Sequence, residues 1–308
     1  MKEFTIPSTD GMNNLHTIAW EPTGDIKAIL QISHGMIEYI ERYNEMANYL
    51  SNSGILVIGN DHLGHGLTAK DDNELGYMGE GKSQTVVADL HEITKYAKKT
   101  YGEDIPFFLF GHSMGSFMAR RYIMTYGTEI DGAIICGTGS QPGAVLKAGQ
   151  FIANLLGKLK GYHYRSEALK NMAFGAYNKR IPDAKSPNAW LSVNEANVEK
   201  YDQDKYCTYL FTVNGYLTLF DAIEYIQKPE NYNRIPKTLP LLFIAGEEDP
   251  VGNYGKGVKQ VYMQYKNSGI SDIKIHLFPN DRHEITNEDD REEVFKMVKK
   301  WIQTHLEQ

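Results

Sequence analysis

The chain reads as an α/β protein: an open, mostly parallel sheet with helices on both faces, interrupted by an inserted helical segment. Three observations predict this. Isoleucine-rich apolar runs at residues 26–32, 55–58, 105–110 and 130–135 suit strands buried on both faces. Helix-like stretches at 39–51, 84–100 and 114–126 alternate with them, as βαβ units require. After Gly137 the rhythm breaks, and strand character returns only at 239–245 and 273–278.

In chain order, 3–6 and 15–20 are short strands joined by a turn at Gly11, and the four apolar runs follow with their helices. From about Ser140 to Thr212 much of the sequence reads helical, and residues 291–305 close the chain as an amphipathic helix. Residues 1–139 and 213–308 are therefore expected to form one sheet domain, with 140–212 as a helical cap. A chain of 308 residues is long enough for both.

Composition narrows the function. A net charge of −7 argues against nucleic acid as a partner. No run of about 18 apolar residues is present, so no spanning helix is expected. The first residues carry no apolar h-region, and Cys136 and Cys207 suggest no disulfide framework. A cytoplasmic enzyme fits these features, with oligomeric state left open.

The chemistry centres on Gly111-His112-Ser113-Met114-Gly115. A buried strand leads into this Gly-x-Ser-x-Gly and a helix leads out, the context of a nucleophile elbow. An activated serine needs a base, and the base needs an orienting acid. Asp249 follows the strand at 239–245, where active-site loops of open sheets gather, with Glu247 and Glu248 as spare carboxylates. Asp249-Pro250 would also suit a helix start. His283 follows the strand at 273–278 and completes the order Ser, Asp, His. The oxyanion of a tetrahedral intermediate needs backbone donors. The N–H of Met114 is one candidate, and that of Met36, in Ser33-His34-Gly35-Met36, is the other. Gly35 would let the backbone approach the substrate. His62 and His65 sit near Asp61, and a structural turn stitched by Asp61 and His65 is expected rather than a metal site. The chemistry calls for no metal and no cofactor.

With those residues assembled, the chain resembles α/β-hydrolases of the monoacylglycerol lipase and bacterial lysophospholipase group. His34-Gly35-Met36-x-Glu38 with Arg42-Tyr43 resembles that group's oxyanion loop, and Asp61-x-x-Gly64-His65-Gly66 its D-x-x-G-H-G turn. Gly246-x-x-Asp249-x-Val251 and Arg282-His283-Glu284 resemble its acid and base loops. The stretch Trp190-Leu191-Ser192, Val198, Tyr201 and Asp204 looks like the cap of bacterial members. Leu63 and Tyr39 depart from the group, which often has arginine and histidine there. The resemblance implies the α/β-hydrolase fold, the Ser113–Asp249–His283 triad, and Gly35, Glu38 and Arg42 as substrate-binding residues.

Residues 144–159 carry Ala148, Phe151, Ile152, Leu155, Leu156 and Leu159 at helical spacing, flanked by lysines. Packing of this stripe onto the sheet domain is the first expectation. A lid that touches lipid aggregates and shelters an acyl chain is the functional alternative. The expected reaction is hydrolysis of a single-acyl lipid ester, a monoacylglycerol or a lysophospholipid, through an acyl-enzyme. A short-chain carboxylesterase is one alternative. A serine aminopeptidase is the other, and would need a cap carboxylate such as Glu167, Glu195 or Glu199 to hold a free amine.

Overall fold

The computed structural model describes residues 1–306. Its strands are β1 (Lys2–Pro7), β2 (Asn14–Trp20), β3 (Ala28–Ser33), β4 (Ile55–Asn60), β5 (Phe107–His112), β6 (Gly132–Cys136), β7 (Leu241–Gly246) and β8 (Ile273–Phe278). They form one sheet in the order β1-β2-β4-β3-β5-β6-β7-β8. β1 pairs antiparallel with β2, and β2 antiparallel with β4. From β4 to β8 every neighbouring pair is parallel. The observed strands agree with the expected ones to within a few residues, because fully buried β3 to β7 have to be apolar on both faces.

The helices are α1 (Asn44–Ser51), α2 (Lys82–Tyr101), α3 (Met114–Tyr126), α4 (Gly143–Lys160), α5 (Glu167–Phe174), α6 (Glu195–Gln203), α7 (Val213–Gln227), α8 (Pro229–Tyr232), α9 (Lys256–Asn267) and α10 (Arg291–Thr304). Strand residues alternate between two cores, as the period of two demands. Ile29, Phe107, Leu109, Ala133, Ile135 and Phe243 pack under α2, α3, α7 and α9. Leu30, Ile32, Phe108, Phe110, Ile134 and Ile244 pack against α1 and α10.

Two elements differ from expectation. The single helix expected at 39–51 is a 3₁₀ turn at Ile40–Tyr43 followed by α1. The carboxylate of Asp61 accepts from the Ile40 N–H at 2.8 Å, which draws this first turn toward the loop after β4. Of the apolar stripe of α4, Leu156 packs against the core, but most of the stripe does not. Phe151, Ile152, Leu155 and Leu159 are exposed, Phe151 by 70% and Leu159 by 72%. The inward face is instead Leu146, Gly149, Ala153 and Gly157. A β-carbon on Gly149 would stand 3.1 Å from the Phe220 ring of α7, so small residues let the two helices approach closely.

Candidate active site

β5 ends at His112, and Ser113 bends the chain into α3 with φ 52° and ψ −121°. A residue with a β-carbon rarely adopts this conformation, which costs on the order of 1–3 kcal/mol and persists only where the surroundings enforce it. Here the Ser113 N–H donates to the Cys136 carbonyl at 3.0 Å, and the Ser113 carbonyl accepts from Ser116 N–H at 2.9 Å and Ser116 Oγ at 2.6 Å. Gly115 is needed for contact rather than for torsion. A methyl group there would collide with the carbonyl oxygens of Ser33 and His34.

The loops after β7 and β8 bring Asp249 and His283 together. Asp249 is fully buried and His283 nearly so. Asp249 Oδ2 lies 2.9 Å from His283 Nδ1, while Oδ1 accepts from the Val251 N–H at 2.8 Å. A buried carboxylate facing Nδ1 fixes the proton on that nitrogen and leaves Nε2 as a base. His283 Nε2 is buried and carries no hydrogen-bond partner. The Asp249-Pro250 turn does not begin a helix, since α9 starts only at Lys256. Glu247 and Glu248 are exposed.

The loop after β3 comes up against the serine. A β-carbon on Gly35 would stand 3.1 Å from Ser113 Cβ. Met36 follows, with Ile37 turned to φ 57°. Met114 is the first residue of α3, where an N–H has no acceptor within the helix. The two expected backbone donors thus lie near Ser113, one in the loop after β3 and one at the start of α3.

Glu38 and Arg42, expected at the substrate, are spent on the protein itself. Glu38 is buried; one oxygen accepts from the Gly35 N–H, from Tyr43 OH at 2.9 Å and from His112 at 3.0 Å. Its other oxygen meets Arg42 at 3.1 Å. Arg42 forks onto both oxygens of Glu284 at 2.6 and 2.7 Å. Burial works against the Glu284 charge, but the Arg42 guanidinium overcomes it and holds the carboxyl below its usual range. These partners could not be read from local spacing, because Glu284 joins the loop from the far end of the chain.

The turn after β4 is stitched by Asp61, which accepts from the N–H groups of Ile40 and Leu67 and from His16 Nδ1, each at 2.8 Å. His65 bonds only within its own turn, to the Leu63 carbonyl at 3.0 Å. His34, His62 and His65 form a buried cluster, with the first two rings 4.2 Å apart. Burial and mutual repulsion press them toward the neutral form, His62 to about 3; for His65, burial alone drives the fall to about 4.

Aromatic residues between β6 and β7 gather beside His283. The Trp190 ring lies 5.1 Å from that of His283, and Phe174 and Tyr177 pack on Trp190 at 6.0 and 4.8 Å. Glu167, Glu195 and Glu199 are all exposed, and Glu195 is paired with Lys185 at 2.8 Å.

Comparison with known proteins shows the family and the fold. The profile of the family described as "Serine aminopeptidase, S33" matches residues 24–290. The mouse protein named monoglyceride lipase is 26% identical over 296 residues, covering 92% of this chain and 84% of its own. A carboxyl esterase from Bacillus coagulans, solved in complex with glycerol, superimposes with a TM-score of 0.92 at 31% identity, covering 99% of this chain and 98% of that one. A structure titled "Lipase (Open form)" gives a TM-score of 0.90 at 27% identity, covering 100% and 99%. The fold is that of an α/β-hydrolase.

Proposed function

Because the chain belongs to the serine aminopeptidase S33 family, and within it to the serine hydrolases of the monoacylglycerol lipase and lysophospholipase group, we propose that it cleaves the acyl ester of a single-acyl lipid. The observation that carries the reading is the buried Asp249–His283 pair at 2.9 Å, with the other imidazole nitrogen unpartnered and the ring 4.8 Å from that of His112, the residue before the strained Ser113 elbow.

In this mechanism His283 Nε2 takes the Ser113 hydroxyl proton as Oγ attacks the ester carbonyl. Asp249 stays ionised and stabilises the imidazolium. The N–H groups of Met36 and Met114 donate to the oxyanion, and collapse of the tetrahedral intermediate expels the glycerol-type alcohol with the proton from His283. Water then attacks the acyl-enzyme by the same route and releases the fatty acid.

A lipid substrate is supported by three features. The relatives named monoglyceride lipase suggest it. Phe174, Tyr177 and Trp190 offer an apolar wall at the base. α4 exposes a continuous apolar stripe with lysines alongside, a face suited to transient contact with lipid aggregates. We take residues 140–212 as the cap that carries these features. The aminopeptidase alternative lacks support in the cap carboxylates considered for it, which face solvent. Two buried, unpaired cysteines suit a reducing, cytoplasmic setting.

Labelling with a long-chain alkyl fluorophosphonate tests the mechanism. The reagent should attach to the peptide containing Ser113 and to no other, and Ser113→Ala should abolish labelling. Attachment elsewhere would remove Ser113 from the nucleophile role.

A further inference from the structure

We propose that His112, the residue before the nucleophile, is a permanently charged imidazolium that positions both the oxyanion loop and the base loop. The inference rests on the Ser113–His283 reading for its catalytic consequence, but not for the charge itself.

The charge follows from what the ring touches. His112 is buried, with Nδ1 3.0 Å from Glu38 Oε1 and Nε2 3.1 Å from the backbone carbonyl of His283. A carboxylate and a carbonyl can only accept, and a neutral imidazole has one N–H. In the neutral ring one of these contacts would set lone pair against lone pair in a dry site. Two protons satisfy both.

His34 shows the contrast. Its Nδ1 donates to the Gly35 carbonyl at 2.8 Å, and its Nε2 accepts from the His62 N–H at 2.9 Å. One donor and one acceptor define a neutral ring. Neighbouring buried histidines therefore take opposite states because their partners differ.

Charge balance agrees. Glu38 and Glu284 contribute two negative charges and Arg42 one positive charge, so a charged His112 makes the buried group neutral. The other groups around it do not supply that charge: Tyr43 donates its hydroxyl to Glu38, His34 is neutral, and His283 is held by Asp249. Burial opposes a charged ring, yet the Glu38 carboxylate outweighs it and moves His112 toward retaining its proton.

The positions give the charge its work. Glu38 Oε1 also holds the Gly35 N–H, in the turn that presents Met36. The His283 carbonyl belongs to the base itself, whose ring lies 4.8 Å from that of His112. One ring therefore ties two loops, the one after β3 and the one after β8, to the end of β5 beside Ser113. It is a positioning residue, since it touches neither substrate nor the reacting atoms.

The test is nitrogen NMR of the full chain with labelled histidine, the His112 signals being assigned through Gly111 and Ser113. Both ring nitrogens of His112 should carry protons from pH 6 to 8. An unprotonated ring nitrogen at pH 7 would overturn the charge. In Glu38→Gln, the buried group with a charged His112 would carry a net positive charge, so the ring should lose a proton near neutrality. A ring unchanged in that variant would overturn the role assigned to Glu38.

The positioning role is read separately in His112→Gln, using whichever ester the wild type turns over. We expect kcat to fall about 10- to 100-fold with KM changed less than about threefold. The acid limb of the kcat/KM profile should move to higher pH, because the remaining buried negative charge favours protonated His283. An unmoved limb with unchanged kcat would overturn the role. A protein that turns over no ester would refute the hydrolase reading while leaving the NMR result on His112 intact.

Discussion

The indole of Trp190 lies 5.1 Å from the imidazole of His283, and the backbone around it is tied to the base loop. Glu284 N–H donates to the Leu191 carbonyl at 2.7 Å, and Arg282 donates to the carbonyls of Ala189 and Ser192 at 2.8 and 3.0 Å. Buried Glu288 accepts from Ser192 Oγ at 2.6 Å. This part of the cap is built into the base loop, whereas α4 and α5 lie outside that network. Trp190→Ala should therefore reduce kcat/KM on a medium- or long-chain ester by about 10- to 100-fold, mainly through KM, since a large apolar wall is lost. Steady-state kinetics on a chain-length series would check it. An equal loss on the shortest acyl chain would contradict the assignment of Trp190 to acyl binding.

The stripe on α4 gives a second expectation. Phe151→Ser with Leu155→Ser removes exposed apolar area and should leave thermal stability within about 0.5 kcal/mol of wild type. Turnover of a soluble short nitrophenyl ester should be unchanged. Turnover of an emulsified or vesicle-borne monoacylglycerol should drop several-fold. Equal rates on the dispersed lipid would show that the stripe has no part in reaching aggregates.

Gly115→Ala tests the elbow. The added methyl has carbonyl oxygens of Ser33 and His34 in its way, both on the strand end that leads into the oxyanion loop. Strain of about 1–3 kcal/mol or more is expected, with loss of most ester turnover even where the variant folds. A variant with wild-type melting and wild-type kcat would contradict the packing described here.

The cluster His34, His62 and His65 predicts a pH response. Burial depresses all three below the unfolded histidine value, His62 to about 3 and His65 to about 4. The neutral cluster therefore costs nothing above about pH 6.5, and its stability contribution drains as pH falls from there toward 3–4. Asp89 and Asp281 are raised, chiefly by burial, to about 6 and about 7, and they work in the opposite sense over part of that window. Ring NMR resolves the two: the three histidines should stay neutral, each with one ring N–H, from pH 8 to 5. Titration of any of them near pH 6.5 would contradict their burial.

The sheet was legible because buried parallel strands have to be continuous apolar runs, as in Ile134 and Ile135 of β6 or Phe107 to Phe110 of β5. The expectation for Ser113 and Asp249 comes from such a run ending just before each, and that for His283 from the alternating strand β8 before it. What stayed hidden depended on distant partners. Spacing shows that α4 is a helix, but only Phe220 of α7 decides that Gly149 and its small neighbours turn inward. Likewise Glu38 and Arg42 look free beside the oxyanion loop until Glu284 and His112 fold onto them. His112 sits inside the Gly-x-Ser-x-Gly motif, yet its state follows from two acceptors that the motif does not contain.

The most direct test of the central claim is hydrolysis of one matched panel by wild-type protein and Ser113→Ala. The panel holds monoacylglycerols of several chain lengths, a lysophosphatidylcholine, short nitrophenyl esters and an aminoacyl anilide. The account predicts that a medium- or long-chain single-acyl lipid is turned over best, and that Ser113→Ala falls by about 10³-fold or more. Turnover confined to short esters, anilide cleavage above ester cleavage, or an active Ser113→Ala protein would contradict it.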